Sequence, residues 1–336
     1  MTTLQVAWFF LIGILLGGYA VLDGFDLGVG FWHLFAKEER ERRILLKSIA
    51  PVWDGNEVWL LTGGGALFAA FPPVYATVFS GLYLALLLVL FGLIFRVASI
   101  EFRNQVEHDG WKKRWDVAFA LGSSVPAVLL GVALGNMVRG LELDASGEYI
   151  GGFFALLNPY ALLTGLTGFA MFATHGALYL VLKTEGALQQ QARRWASKAW
   201  NVYLVLFLIS GAWSLASYQR GNTALTLVFS LAALLAIVAI KRFNRPESGG
   251  KAFFSSSLAI AVLFAATGSS IFPNLVPASN DVQRSLTIFN ASASQNTLTI
   301  MLIVALIGMP LVVGYTVYIY RTFAGPVRLD DSDGPY

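Results

Sequence analysis

The sequence predicts an all-α integral membrane protein of about nine transmembrane helices, arranged as two four-helix bundles plus one peripheral helix. Three observations lead there. Only 13% of the 336 residues are charged, against about 25% in a typical soluble domain. Mean hydropathy is +0.65. Apolar runs of about twenty residues, enough to cross a bilayer core, recur from one end of the chain to the other.

These runs lie near 7–36, 50–71, 74–96, 116–138, 158–182, 199–217, 224–240, 252–273 and 297–320. The first and fifth are long and are expected to tilt or extend past the hydrocarbon. The first is also too long, and lacks the basic flank, for a cleaved signal peptide. Nine spans put the termini on opposite sides, and the basic residues say which. The loops 37–49, 96–115, 183–198 and 241–251, with the tail, hold 20 of the 23 Lys and Arg; Arg139, Arg220 and Arg284 fall opposite. The positive-inside rule makes the first side cytoplasmic and the N-terminus periplasmic.

Spans one to three begin about 150 residues before spans five to seven, suggesting a duplication with both halves in one orientation. The expected domains are 1–140, a first four-helix bundle with intramembrane acids, and 150–275, a second. Helix 295–322 and a cytoplasmic tail, 323–336, follow. With no cysteine, disulfides, iron–sulfur clusters and thiolate-bound metals are excluded. The modest net charge of +3 reports topology, so no nucleic-acid partner is expected.

Charge within the spans is concentrated in the first half. AVLDGFDLGVGFW places Asp23 and Asp26 about one turn apart on one face of the first helix. PVWDGNEVWLLTGGG places Asp54 and Glu57 about one turn apart near the start of the second, roughly 6 and 10 Å in from residue 50. Arg96 is expected to end the third span and Asp116 to begin the fourth. Acids in a membrane are expensive and are usually functional. The functional reading is a lane of desolvated carboxylates that hold and hand on protons. The structural reading is that they pair with Arg96, cap helix ends or bond to exposed backbone. Trp53 suits an interfacial belt, whereas Trp59 lies deeper and is expected to pack on a neighbouring helix or a partner subunit. Gly24 and Gly28 suit close helix packing.

His108 sits in a charged loop, and His33 near the interface is expected to snorkel. His175, in ATHGALYL, is the weak candidate for a metal ligand. A bis-histidine haem would need a second buried histidine, so a structural hydrogen bond is favoured for His175.

GYAVLDGFDLGVG and SIAPVWDGNEVWLLTGGGALFAAFPPVYA resemble subunit II of the cytochrome bd-type quinol oxidases. So do GSSVPAVLLGVALGN, LNPYALLTG, HGALYL, IFPNLVPASN and SLTIFNASASQNTLTIM, over about Gly18 to Tyr320. The short chain is similar to the compact members, including the cyanide-insensitive oxidases. The resemblance implies a plasma-membrane complex that oxidises quinol, reduces dioxygen to water and helps build a proton gradient. It implies a partner, subunit I, holding three haems, two b-type and one d- or b-type, with no haem ligated here and no catalytic residue in this chain. A structural quinone, small single-helix subunits and bound membrane lipid are further expectations. In the family, acids matching Asp23, Asp26 and Asp54 lie toward subunit I and are proposed to supply protons; Glu57 joins them as a candidate. Trp53, Asn56, Trp59, Arg96 and Asp116 are candidates for supporting the site or the subunit interface. The competing reading is a proton-coupled secondary transporter, which confinement of the acids to one half disfavours. A third is a scaffold subunit whose acids merely pair.

Overall fold

The computed structural model describes residues 2–329, so residues 330–336 of the expected tail lie outside it. The described chain is helical almost throughout. Its helices are α1 (Thr2–His33), α2 (Glu39–Ile49), α3 (Trp53–Ala70), α4 (Pro72–Gly81), α5 (Tyr83–Phe102) and α6 (Asp109–Arg139). These are followed by α7 (Pro159–Lys183), α8 (Gly186–Ser217), α9 (Thr223–Phe243), α10 (Gly249–Ile271) and α11 (Gln295–Thr322). Eight are long and apolar enough to cross a membrane. The ninth expected span is α3. Its 18 residues measure about 27 Å, close to a hydrocarbon thickness of about 30 Å. Asp54, Asn56 and Glu57 lower its apolar character.

Several boundaries differ from the expected ones for physical reasons. The charged stretch 37–49 is not a loop but holds the amphipathic α2. Glu38 and Glu41 form a capping box, and Leu45, Leu46 and Ile49 are buried beneath a charged first turn. The third span is divided at Leu82, because Pro72 starts a separate short helix after Phe71. α5 continues to Phe102, so Arg96 lies about four turns into the helix and not at its end. α3 starts only at Trp53, which leaves Asp54 in its first turn. α6 starts at Asp109, so Asp116 sits two turns inside it. In α6 and α8 the polar opening turns carry the helix beyond the apolar run that marks the span.

α1 is the central helix and packs against α3, α6, α7 and α10. Its approach to α7 is backbone on backbone: a Cβ on Gly28 would lie 2.0 Å from the Phe172 carbonyl, and one on Gly176 2.5 Å from Gly28 C. α5 and α6 cross through Gly92 and Gly122 in the same manner. At the end away from α2, the α6–α7 and α10–α11 connections fold together. β1 (Asn274–Val276) pairs antiparallel with β2 (Leu286–Thr287), and Leu141 bridges to Ala278. Leu141, Leu143, Val276 and Ile288 are buried there. Arg220 donates to the Val138 and Arg139 carbonyls, closing the last turn of α6.

Candidate functional site

The intramembrane acids gather where α1, α3 and α5 meet. Asp23 and Arg96 are both fully buried. Arg96 donates Nη1 to Asp23 Oδ2 at 3.0 Å and Nη2 to Oδ1 at 2.6 Å, a bidentate pair. The burial of Asp23 is thereby offset by a charge 73 residues away. Glu57 Oε1 lies 2.8 Å from Arg96 Nη2 as an ion pair, but is not aligned as a hydrogen bond. Two carboxylates, Asp23 and Glu57, thus share one guanidinium.

Asp26 is held differently. Asn56 Nδ2 donates to Asp26 Oδ2 at 2.7 Å and to the Leu22 carbonyl at 3.1 Å. The Asn56 side-chain oxygen accepts from the Tyr320 hydroxyl at 2.9 Å, which fixes the amide orientation from α11. Asp26 Oδ1 and the Tyr19 hydroxyl are buried without hydrogen-bond partners. Such atoms are rare in folded proteins and mark a group kept for use or for water.

Asp54 points outward. It is exposed on the α3 face that continues through Val58, Leu61, Gly65 and Phe68, and Cβ atoms at Gly55, Gly64 and Gly65 would meet open space. Glu57, 22% exposed, sits between this face and the buried Asp23–Arg96 pair. Trp59 packs inward on α1, where a Cβ on Gly18 would lie 2.6 Å from its ring. Trp53 is half-buried against the cluster under α2. α3 also packs on α11, most of whose apolar side chains are exposed.

Asp116 belongs to a second cluster. Its Oδ1 lies 2.5 Å from both His33 Nε2 and Arg103 Nε, and its Oδ2 is 2.5 Å from Arg42 Nη1. Arg103 also grips Glu39 at 2.9 and 2.8 Å. That hydrogen bonding holds the Glu39 carboxyl below the usual carboxylate range. The cluster joins α1, α2 and α6 to the residue that ends α5. His33 does not snorkel; it is fully buried because Asp116 supplies its partner.

The histidine side chains are held by hydrogen bonds within the chain, with His33 Nδ1 left unpartnered. His175 is buried, stacked on Phe253 at a centroid distance of 4.6 Å. Its Nδ1 lies 3.0 Å from Ser256 Oγ and its Nε2 2.9 Å from the Val21 carbonyl, so both nitrogens are engaged. His33 Nε2 is taken by Asp116, and exposed His108 caps α6, accepting from Gly110 N.

Sequence reasoning placed the acids but missed Tyr320 and Tyr19. A tyrosine in the last turn of a distant helix carries no local signal that it reaches an asparagine 264 positions away.

A scan against family models matches residues 4–323 to cytochrome bd terminal oxidase subunit II. The chain is 37% identical to the Escherichia coli K12 protein called cytochrome bd-I ubiquinol oxidase subunit 2, with 98% of this chain and 97% of that one covered. It is 36% identical to the Bacillus subtilis cytochrome bd ubiquinol oxidase subunit 2, with 96% of each covered. Its fold superposes on a chain of the Geobacillus thermodenitrificans bd oxidase structure with a TM-score of 0.79 at 18% identity, covering 96% and 98%. The chain belongs to the cytochrome bd terminal oxidase subunit II family.

Proposed function

We propose that this chain is the haem-free subunit II of a complex that oxidises quinol and reduces dioxygen to water. In that complex it stabilises subunit I and lines a proton-uptake path from the cytoplasm. The family assignment supports the complex, an oxidoreductase in which this subunit is not itself catalytic. The haem belongs to the partner's chemistry of oxygen reduction. The engagement of every buried histidine nitrogen that could face a metal, except His33 Nδ1, supports placing its ligands there.

The observation that carries the proton reading is the graded exposure of the acids. Asp54 is open on the α3 face, Glu57 is partly open, and Asp26 is sealed with one oxygen unpartnered. Each dioxygen reduced to two waters takes up four protons, and their uptake from the side opposite quinol oxidation builds a gradient without a pump. Asp54 and Glu57 admit protons, and Asp26 with Tyr19 holds them. Asp23 fixes the Arg96 guanidinium through the bidentate pair. The basic loops support an opening toward the cytoplasm, and a reporter fused after Tyr336 is expected to behave as internal.

The test is quinol-driven oxygen uptake per haem in the intact complex carrying Asp54→Asn, Glu57→Gln or Asp26→Asn. Asparagine and glutamine keep the shape but cannot release a proton. The expected result is an unchanged haem spectrum with uptake reduced about tenfold or more in Asp26→Asn, since relay steps of this kind carry factors of about 10²–10⁴. Wild-type uptake in all three single variants and in Asp26→Asn with Asp54→Asn sinks the proton path.

A further inference from the structure

α9 and α10 pack closely along their length, yet at the end nearest their connecting loop they leave an apolar groove of about 550 Å³. This lies within the range of about 300–1,000 Å³ common to ligand sites. Ala232, Ala236 and Ala239 form its floor on α9, one or two turns apart, and Phe254 and Leu258 form the facing wall on α10. The small floor residues are why the two helices can touch and still leave a channel. The groove opens to the surface, where Phe254 and Leu258 are exposed.

The mouth of the groove is basic. Lys251 lines it and rests 5.9 Å over the Phe243 ring, which is itself part of the lining. Lys241 and Arg242 occupy the last turn of α9, with Lys241 5.2 Å over Trp200. Arg245 follows in the connecting loop, and the only acid there, Glu247, is exposed. Among the described residues, Lys241, Arg242 and Lys251 form no ion pair with a carboxylate. The Phe243 ring holds Lys251 at the groove end without neutralising it.

We propose that this groove is a binding site for one anionic phospholipid, with an acyl chain along the alanine floor and the phosphate at Lys251. A long apolar slot in a membrane-facing surface that ends in uncompensated cations fits a molecule with an apolar tail and an anionic head. A zwitterionic lipid would leave the excess positive charge unmatched. The site is independent of the acid cluster at α1, α3 and α5.

The test uses the intact complex in detergent, incubated with equal parts of phosphatidylglycerol and phosphatidylcholine, freed of excess lipid and weighed by native mass spectrometry. Wild type is expected to retain phosphatidylglycerol in preference. Lys251→Glu, a change on an exposed side chain, is expected to lower that retention about tenfold with the haem spectrum intact. Ala239→Phe, which fills the floor, is expected to lower retention of both lipids. The proposal is overturned if wild type shows no preference, or if Lys251→Glu retains phosphatidylglycerol as wild type does. Loss of a co-purifying polypeptide from Ala239→Phe with lipid retention unchanged overturns it as well.

Discussion

Asp23 and Asp116 are both buried against arginine, but their surroundings are completed differently. Around Asp116, both carboxylate oxygens are taken by His33, Arg42 and Arg103, Arg103 is further anchored by Glu39, and only His33 Nδ1 is left without a partner. Around Asp23 the pair with Arg96 is bidentate, but its neighbours are left incomplete. Asp26 Oδ1, Tyr19 Oη and Arg96 Nε have no hydrogen-bond partner, and Glu57 reaches the guanidinium only as an ion pair. A carboxylate with both oxygens paired is held rigidly and joins helices. One with an unpartnered oxygen keeps the capacity to take up a proton or a water. Burial and charge are similar in the two places, so the pairing of the carboxylate oxygens is what distinguishes Asp116 from Asp26.

The largest expected effect breaks the saturated cluster. Asp116→Ala leaves Arg103 and His33 buried without their shared acceptor, which costs about 3–5 kcal/mol. The expected outcome is loss of assembled, haem-containing complex from membranes, measured by difference spectroscopy. A normal yield of complex would mean that the cluster does not hold the helices together. Asp23→Asn belongs with this class, since it strands Arg96, and is expected to lower assembly more than Asp26→Asn does. Equal yields from the two would erase the distinction.

A smaller effect is expected at Tyr320→Phe, which removes one hydroxyl from Asn56 and about 1 kcal/mol. Assembly should be retained, with melting of the purified complex lowered by a few degrees or less. An unchanged melting temperature would show that Asn56 holds Asp26 without help from α11. The smallest effect is at Glu39, 45% exposed, where Glu39→Gln is expected to cost less than about 1 kcal/mol. Its carboxyl titrates below the usual 4.5 when folded. Its stabilisation is therefore complete above about pH 4.5 and lost as pH falls through the lowered value. The melting difference between wild type and Glu39→Gln should thus be constant from pH 6 to 8 and shrink toward pH 4. A difference that grows on acidification would reverse the sign of the shift.

Legibility in the sequence followed the range of the interactions. Helices whose apolar runs exceed about 18 residues were readable because the membrane imposes that length. α2 was hidden because its three buried apolar residues are outnumbered by charges in an 11-residue segment. The break at Leu82 was hidden because apolar residues continue through it. The candidate acids were readable from their rarity inside apolar runs. Which acid takes Arg96 was not, because α1 and α5 are brought together by glycine crossings on intervening helices and not by any local spacing. Tyr320, Tyr19 and the true partner of His33 were invisible for the same reason.

The Gly28–Gly176 crossing has a mechanical consequence. Two helices whose main chains touch leave no side-chain cushion in which to slide, so α1 and α7 form an axle that neither turns nor shifts. Asp23 and Asp26 ride on that axle. On the proposed proton path, the members free of such a crossing are the outer ones, α3 carrying Asp54 and Glu57 and α11 carrying Tyr320. A larger side chain at Gly28 would push the axle apart and misalign every carboxylate together, whereas a change on α3 would move the entrance alone.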